Sequence, residues 1–297
     1  MHDIYEAARR AGRDKAPAAH YFRGKEAHTM KIGKRITQGL ILAAMMTILS
    51  GGILPAFAAM SPKQYWEKGI GYAENKLYID AVQNFTQAIR TNKGEISIAD
   101  VARIFNSRGL AYQGLNELDK AIDDFSNALE LDDKNPEFSL NRANAFLGRK
   151  QYERARDDFS GAIKLTPRSA AAYAGRAKAN QAAGSSDLAL ADYQKLLELE
   201  PRNVSALYGM GLAYKSKRQD AKAIEVFNEL LKIDPRYADA SYQNAGLFAR
   251  AGKIDSACVW LEEAVANGYR DWDALKNDAD FDAIRKNSCY RRVLSGK

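Results

Sequence analysis

Residues 155 to 167 read ARDDFSGAIKLTP, and the same pattern returns along the chain at a fixed interval. Thirty-four residues earlier stands AIDDFSNALELDD, from Ala121 to Asp133. Thirty-four later come ALADYQKLLELEP (Ala189 to Pro201) and then AIEVFNELLKIDP (Ala223 to Pro235). A fixed internal period means that the 297-residue chain grows by adding like units rather than by splitting into globules.

Laying the units over one another gives columns. One holds Ala81, Ala121, Ala155, Ala189, Ala223 and Ala257; four residues on stand Phe85, Phe125, Phe159, Tyr193, Phe227 and Leu261. Upstream, a small-residue column holds Gly69, Gly109, Ala143, Ala177, Gly211 and Ala245, and three on lie Tyr72, Tyr112, Phe146, Asn180, Tyr214 and Phe248. Spacings of three and four place each set on one helix face, so each unit is two helices. Small residues let the two backbones approach, and the rings fill the space beside them. Gly114, Gly148, Gly184 and Gly252 are expected where the first helix turns into the second, and Pro167, Pro201 and Pro235 close three units.

This pattern resembles the tetratricopeptide repeat, a helix-turn-helix unit with the same period. The resemblance covers residues 62–268 in six units. It implies an all-α fold, a right-handed superhelical solenoid of about six repeats, with residues 269–297 as C-terminal capping helices. Departures from the pattern are Asn180 in the aromatic column, Leu196 and Leu230 in place of Ala, and Leu261 in place of a ring. The step from Ala81 to Ala121 is longer than every later step, so TNKGEISIADVARIF holds six extra residues, expected as a longer connection or an extended helix. Arg108, Arg142 and Arg176 occur together with Asp124, Asp158 and Asp192, and both columns change together in repeats five and six; this predicts a structural salt bridge within each unit.

Composition narrows the function classes. Of the +7 net charge, five lies in residues 1–58, which hold nine Lys/Arg and four Asp/Glu. The repeats are left with interspersed charges and no concentrated basic footprint, so no nucleic-acid partner is expected. All three histidines (His2, His20, His28) fall in that first segment, and only Cys258 and Cys289 represent cysteine. No catalytic residue, cofactor site or metal site is therefore expected. Cys258 lies in the last regular helix, beside the expected position of the tail carrying Cys289. In an oxidising compartment the two form a disulfide; otherwise they remain two thiols.

The front of the chain reads as an address. Residues 1–29 are a polar lead, expected to lie ahead of a true start at Met30. Lys31, Lys34 and Arg35 precede an uncharged run, and Ala56-Phe57-Ala58 has the small-x-small form of a signal-peptidase site. Residues 30–58 are expected to be a signal peptide cut between Ala58 and Ala59, which makes the mature chain periplasmic or secreted. The alternative is an uncleaved N-terminal anchor in the inner membrane with the repeats facing the periplasm. Membrane contact is expected only through this segment.

In the superhelix that the resemblance implies, first helices line a concave groove. The residues opposite the packing columns are Trp66 and Ile70, then Asn106, Leu110 and Gln113, then Leu140 and Asn144. Lys178 follows, then Tyr208, Leu212 and Lys215, with Tyr242 and Arg250 last. Amides suit an extended peptide backbone, Lys178 and Lys215 suit a carboxylate, and Trp66 and Tyr208 are candidate aromatic anchors. The expected function is a non-catalytic protein–protein interaction scaffold or adaptor in the bacterial cell envelope, with a peptide or partner protein in the groove. The alternative is an accessory subunit or weak enzyme of cell-wall or envelope assembly, which would need two carboxylates flanking a cleft.

Overall fold

The structure, a computed structural model, describes residues 60–295. The expected lead at 1–29 and signal peptide at 30–58 lie outside these residues. The described chain is all helical, with no strand among the described residues, and divides into two compact units, one ending at Ile104 and one from Phe105 onward. No described helix is long and apolar enough to cross a membrane.

The first unit holds the hairpin of α1 (Pro62–Glu74) and α2 (Tyr78–Thr91). Ser61 starts it with a capping box: its Oγ accepts from Gln64 N at 3.2 Å while Gln64 Oε1 accepts from Ser61 N at 2.8 Å. The Phe85 ring is fully buried under Gly69, where an added Cβ would stand 2.6 Å from the ring. The six extra residues form both of the expected features. Asn92 Oδ1 accepts from Gly94 N and Ile96 N to fold a tight loop, and α3 (Ile98–Gly114) then runs 17 residues against 13 for the other first helices.

In the second unit α3 ends and hairpins follow at the repeat interval. They are α4 (Leu118–Leu131), α5 (Pro136–Gly148), α6 (Tyr152–Leu165), α7 (Ala170–Ala182), α8 (Ser186–Leu199), α9 (Val204–Ser216), α10 (Asp220–Ile233), α11 (Ala238–Arg250) and α12 (Ile254–Ala266). Asn135, Ser169 and Asn203 cap first helices through their side chains. The turn inside each hairpin is a double backbone bond: in repeat three, Gln151 N donates to Phe146 O and Lys150 N to Leu147 O, both at 2.9 Å. This corrects the expected role of two glycines. Gly114 and Gly148 are the last residues of right-handed helix. The left-handed position falls two residues later, at Lys76, Asn116, Lys150, Gly184, Arg218 and Gly252, with φ between 58° and 77°.

The aromatic column is the core. Phe125, Phe159 and Phe227 are fully buried, as is Leu261. Each ring sits under its own first helix, as Phe125 does beneath Gly109, or against the next one, as Phe159 does at Gly175 and Tyr193 at Gly209. That second approach binds one repeat to the next and explains why 175 and 209 are also glycine. The Arg column does the same for polar groups. Arg142 holds Asp158 in its own repeat at 2.7 Å, and its Nη1 donates to Ser126 of the preceding repeat at 3.1 Å; Arg176 repeats this with Asp192 and Ser160. Asn180 is the ring-column exception because its Nδ2 donates to Asp192 at 3.0 Å, completing that cluster.

The chain closes with α13 (Trp272–Asn277), a 3-10 segment (Ala279–Ile284) and α14 (Ser288–Leu294). Trp272 follows Ala238, the start of α11, by one full repeat interval, and Ser288 follows Ile254, the start of α12, by the same step. The tail is therefore in register with a seventh repeat whose first helix is broken at Asp278. Leu275, Phe281 and Ile284 are fully buried in one core with repeat six.

Candidate functional site

In the second unit each first helix from α5 onward packs chiefly on its own second helix and next on the second helix of the preceding repeat, and successive first helices also touch, α5 with α7 and α7 with α9. That approach puts the first helices on the inner side of the stack. One inner column, a repeat interval apart at each step, is Leu110, Asn144, Lys178, Leu212 and Gly246. Leu110 is 41% exposed, Asn144 and Lys178 are exposed, and Leu212 is half-buried. Gln113 and Leu140, also half-buried, flank the column. Over repeats two to four the inner face thus offers apolar groups, amides and an ammonium to solvent. Trp66 and Ile70 belong to the first unit, on α1. Ile70 is 38% exposed, and Trp66 is half-buried with its indole Nε1 buried and without a hydrogen-bond partner.

Three expected groove residues are taken up by the fold itself. Asn106 is buried: its amide oxygen accepts from Asn141 Nδ2 at 2.9 Å and its Nδ2 donates to Glu137 at 3.4 Å, a strut between α3 and α5. Close approach of successive first helices covers it. Tyr242 is buried and stacked on Tyr269, ring centroids 4.2 Å apart, and its hydroxyl donates to Asp278 at 2.7 Å. Lys215 donates to Gln243 at 2.7 Å and forms an ion pair with Asp280 at 2.8 Å. The carboxylate expected to meet Lys215 is thus the chain's own. Tyr208 is half-buried, its ring tilted against Phe227 and Tyr237, and burial pushes its phenol up to about 12. It is held as a packing residue more than as a free anchor.

The inner face changes character at repeat six. Against the preceding repeat, first helices rest mainly on its second helix, but the 3-10 segment rests chiefly on the preceding first helix, α11. Arg250 Nη1 donates to Asp280 at 3.0 Å while its Nη2 holds Asp220, and Asp280 Cβ lies where Gly246 leaves room for it. Asp278 and Asp280 had no column to mark them, since the tail occurs once; the repeat spacing of Trp272 and Ser288 was the available sign. Cys258 on α12 and Cys289 on α14 are joined as a disulfide, Cα atoms 5.9 Å apart. Among the described residues no group of three or more His, Cys, Asp or Glu is placed to hold a metal.

Hairpins stacked in series with an open inner face define a helical-repeat protein of the kind that generally serves as an interaction scaffold. Residues 102–135 match the tetratricopeptide repeat family, and residues 140–188 and 174–238 match it again. These stretches are tetratricopeptide repeats. Solved structures agree in fold. The crystal structure of MamA is 23% identical with a TM-score of 0.52 over 54% of this chain and 93% of that one. A crystal structure of YrrB, described as a TPR protein with an unusual peptide-binding site, is 23% identical with a TM-score of 0.53 over 65% of this chain and 96% of that one. MamA from Desulfovibrio magneticus RS-1 is 19% identical with a TM-score of 0.55 over 58% and 97%. No curated protein sequence matches the chain.

Proposed function

We propose that the chain is a non-catalytic scaffold of the bacterial cell envelope that holds an extended peptide, or a segment of a partner protein, on the inner face of repeats two to four. The observation that carries this reading is the row Leu110, Asn144 and Lys178, three exposed side chains of different chemistry at one repeating position. An apolar group anchors a side chain, an amide bonds to an extended backbone, and the ammonium meets a carboxylate. The peptide-binding site in the name of YrrB is consistent with such a use of this fold. The envelope setting rests on the basic start, uncharged run and Ala56-Phe57-Ala58 of residues 30–58, as does export with cleavage between Ala58 and Ala59.

The test is crosslinking and capture in cells of the source bacterium, comparing the wild type with a Leu110→Ala, Asn144→Ala, Lys178→Ala variant. All three side chains are at least partly open to solvent, so the variant is expected to keep the wild-type circular dichroism. A partner captured by the wild type and lost by the variant supports the reading. An unchanged set of partners moves the binding surface off this face.

A further inference from the structure

We propose that the C-terminal segment is a resident ligand of the inner face at repeats five and six, and that the Cys258–Cys289 disulfide is the latch that keeps it there. The proposal rests on the inner face being a binding surface, and it adds a control on how much of that surface is open.

The segment Asp278-Ala279-Asp280-Phe281 is held the way a bound acidic peptide would be. Asp280 lies between two cations, Lys215 at 2.8 Å and Arg250 at 3.0 Å, and Asp278 accepts from the Tyr242 hydroxyl at 2.7 Å. Phe281 fills the apolar space beside them and is fully buried. The cations come from α9 and α11, the same first helices that present Leu212 and Gly246 on the inner column. Of the two helices of repeat six, a regular seventh first helix would meet mainly α12; the 3-10 segment instead lies against α11, beside Gly246 of the inner column. With the segment away, the open face of repeats two to four continues into a site bearing Lys215, Arg250 and the Tyr242 hydroxyl. Such a site suits a partner segment with two acidic side chains one residue apart followed by an aromatic ring.

The latch is placed to govern this. Cys289 is the second residue of α14, five residues past the 3-10 segment, and is tied to α12 of repeat six. The disulfide closes a loop of 31 residues that contains the whole segment. Cys258 is half-buried and Cys289 is buried, so an external dithiol reaches Cys258 Sγ first. Its thiolate forms a new S–S bond to Cys258 and breaks the bond to Cys289, which leaves as a thiolate and takes up a proton. The second thiol of the reagent then displaces Cys258, which is also protonated. The reagent leaves as a disulfide, having given two electrons and two protons to the pair. The loop is then free to open, while the burial of Leu275, Phe281 and Ile284 keeps the closed form the more populated one. Reduction therefore acts by raising the frequency of opening.

Hydrogen exchange on the full chain, oxidised and then reduced with a dithiol, reads this without any partner. Exchange in residues 272–294 should speed up on the order of a hundredfold on reduction, with α5 to α9 unchanged. Amine acetylation read by mass spectrometry supplies a second measure: labelling of Lys215 should rise on reduction relative to exposed Lys178. The Cys258→Ser, Cys289→Ser variant, which has no cysteine left, should behave as the reduced chain does with or without the dithiol. Equal tail exchange in both redox states overturns the latch, as does a rise spread evenly over all repeats. Both readouts are independent of partner capture by Leu110, Asn144 and Lys178, so this proposal and the scaffold reading fail separately.

Discussion

Asp124 shows how a buried charge can repeat without adding much stability. Arg108 holds it in a two-pronged pair, Nε to Oδ2 and Nη2 to Oδ1, each at 2.7 Å, yet burial pushes the Asp124 carboxyl up against the pull of that guanidinium. A carboxyl whose folded pKa is raised above its unfolded one gains nothing from its charge at neutral pH; the burden is relieved only as pH falls through the folded value. Repeat five carries the apolar alternative at the equivalent positions, Met210 and Val226, both buried. Asp124→Val alone is expected to cost about 3 kcal/mol or more by stranding Arg108, whereas Arg108→Met with Asp124→Val should fall within about 1 kcal/mol of wild type. Urea unfolding of the two variants checks this. The pairing of these columns was legible in the sequence because they change together. The ties from Arg142 to Ser126 and from Arg176 to Ser160 were not, because a serine on a helix surface carries no sign of its partner.

Hairpin turns illustrate what the elements reveal and conceal. The helices were legible because their columns recur at a constant interval. The turns were misplaced because four of the six left-handed positions carry Lys, Asn or Arg rather than Gly. The double backbone bond that ends each first helix fixes that conformation whatever the side chain. A Cβ in the left-handed region is strained, so Lys150→Gly is expected to stabilise the protein by about 1 kcal/mol. A rise in the urea midpoint measures it. Lys150→Val should lower the midpoint, since a branched Cβ fits that region worst.

At the scale of the whole molecule, buried phenols set the alkaline limit. Burial pushes Tyr193 and Tyr208 up to about 12 from an ordinary 10.0, and Tyr242 is driven up further by burial and by its hydrogen bond to Asp278. Below pH 10 all three keep their protons in both states and the full stability is present. Above it the unfolded chain releases protons that the fold retains, so stability falls as pH rises toward the folded values. The loss should be about 1.4 kcal/mol per pH unit for each of the three. Unfolding in urea at about pH 9 and about pH 11, followed by tyrosinate absorbance, tests both slope and cause. The open part of the candidate site was visible from the sequence at Leu110, Asn144 and Lys178. The closed part was not, because a lone tail gives no second copy with which to align Asp278 and Asp280.

The broken seventh repeat has a further consequence for how copies of the chain meet. A stack of like hairpins leaves at its end a surface shaped to receive one more hairpin, and another molecule could supply it head to tail. Such contacts do not close on themselves and would string molecules into filaments. Here the last surface is filled by a hairpin in register at Trp272 and Ser288 but interrupted at Asp278. Its exposed side carries Asp273, Lys276, Asp282, Lys286 and Arg292 in place of an apolar column. The unit that follows repeat six therefore presents charged side chains where a further hairpin would need apolar ones, which disfavours head-to-tail addition at that surface.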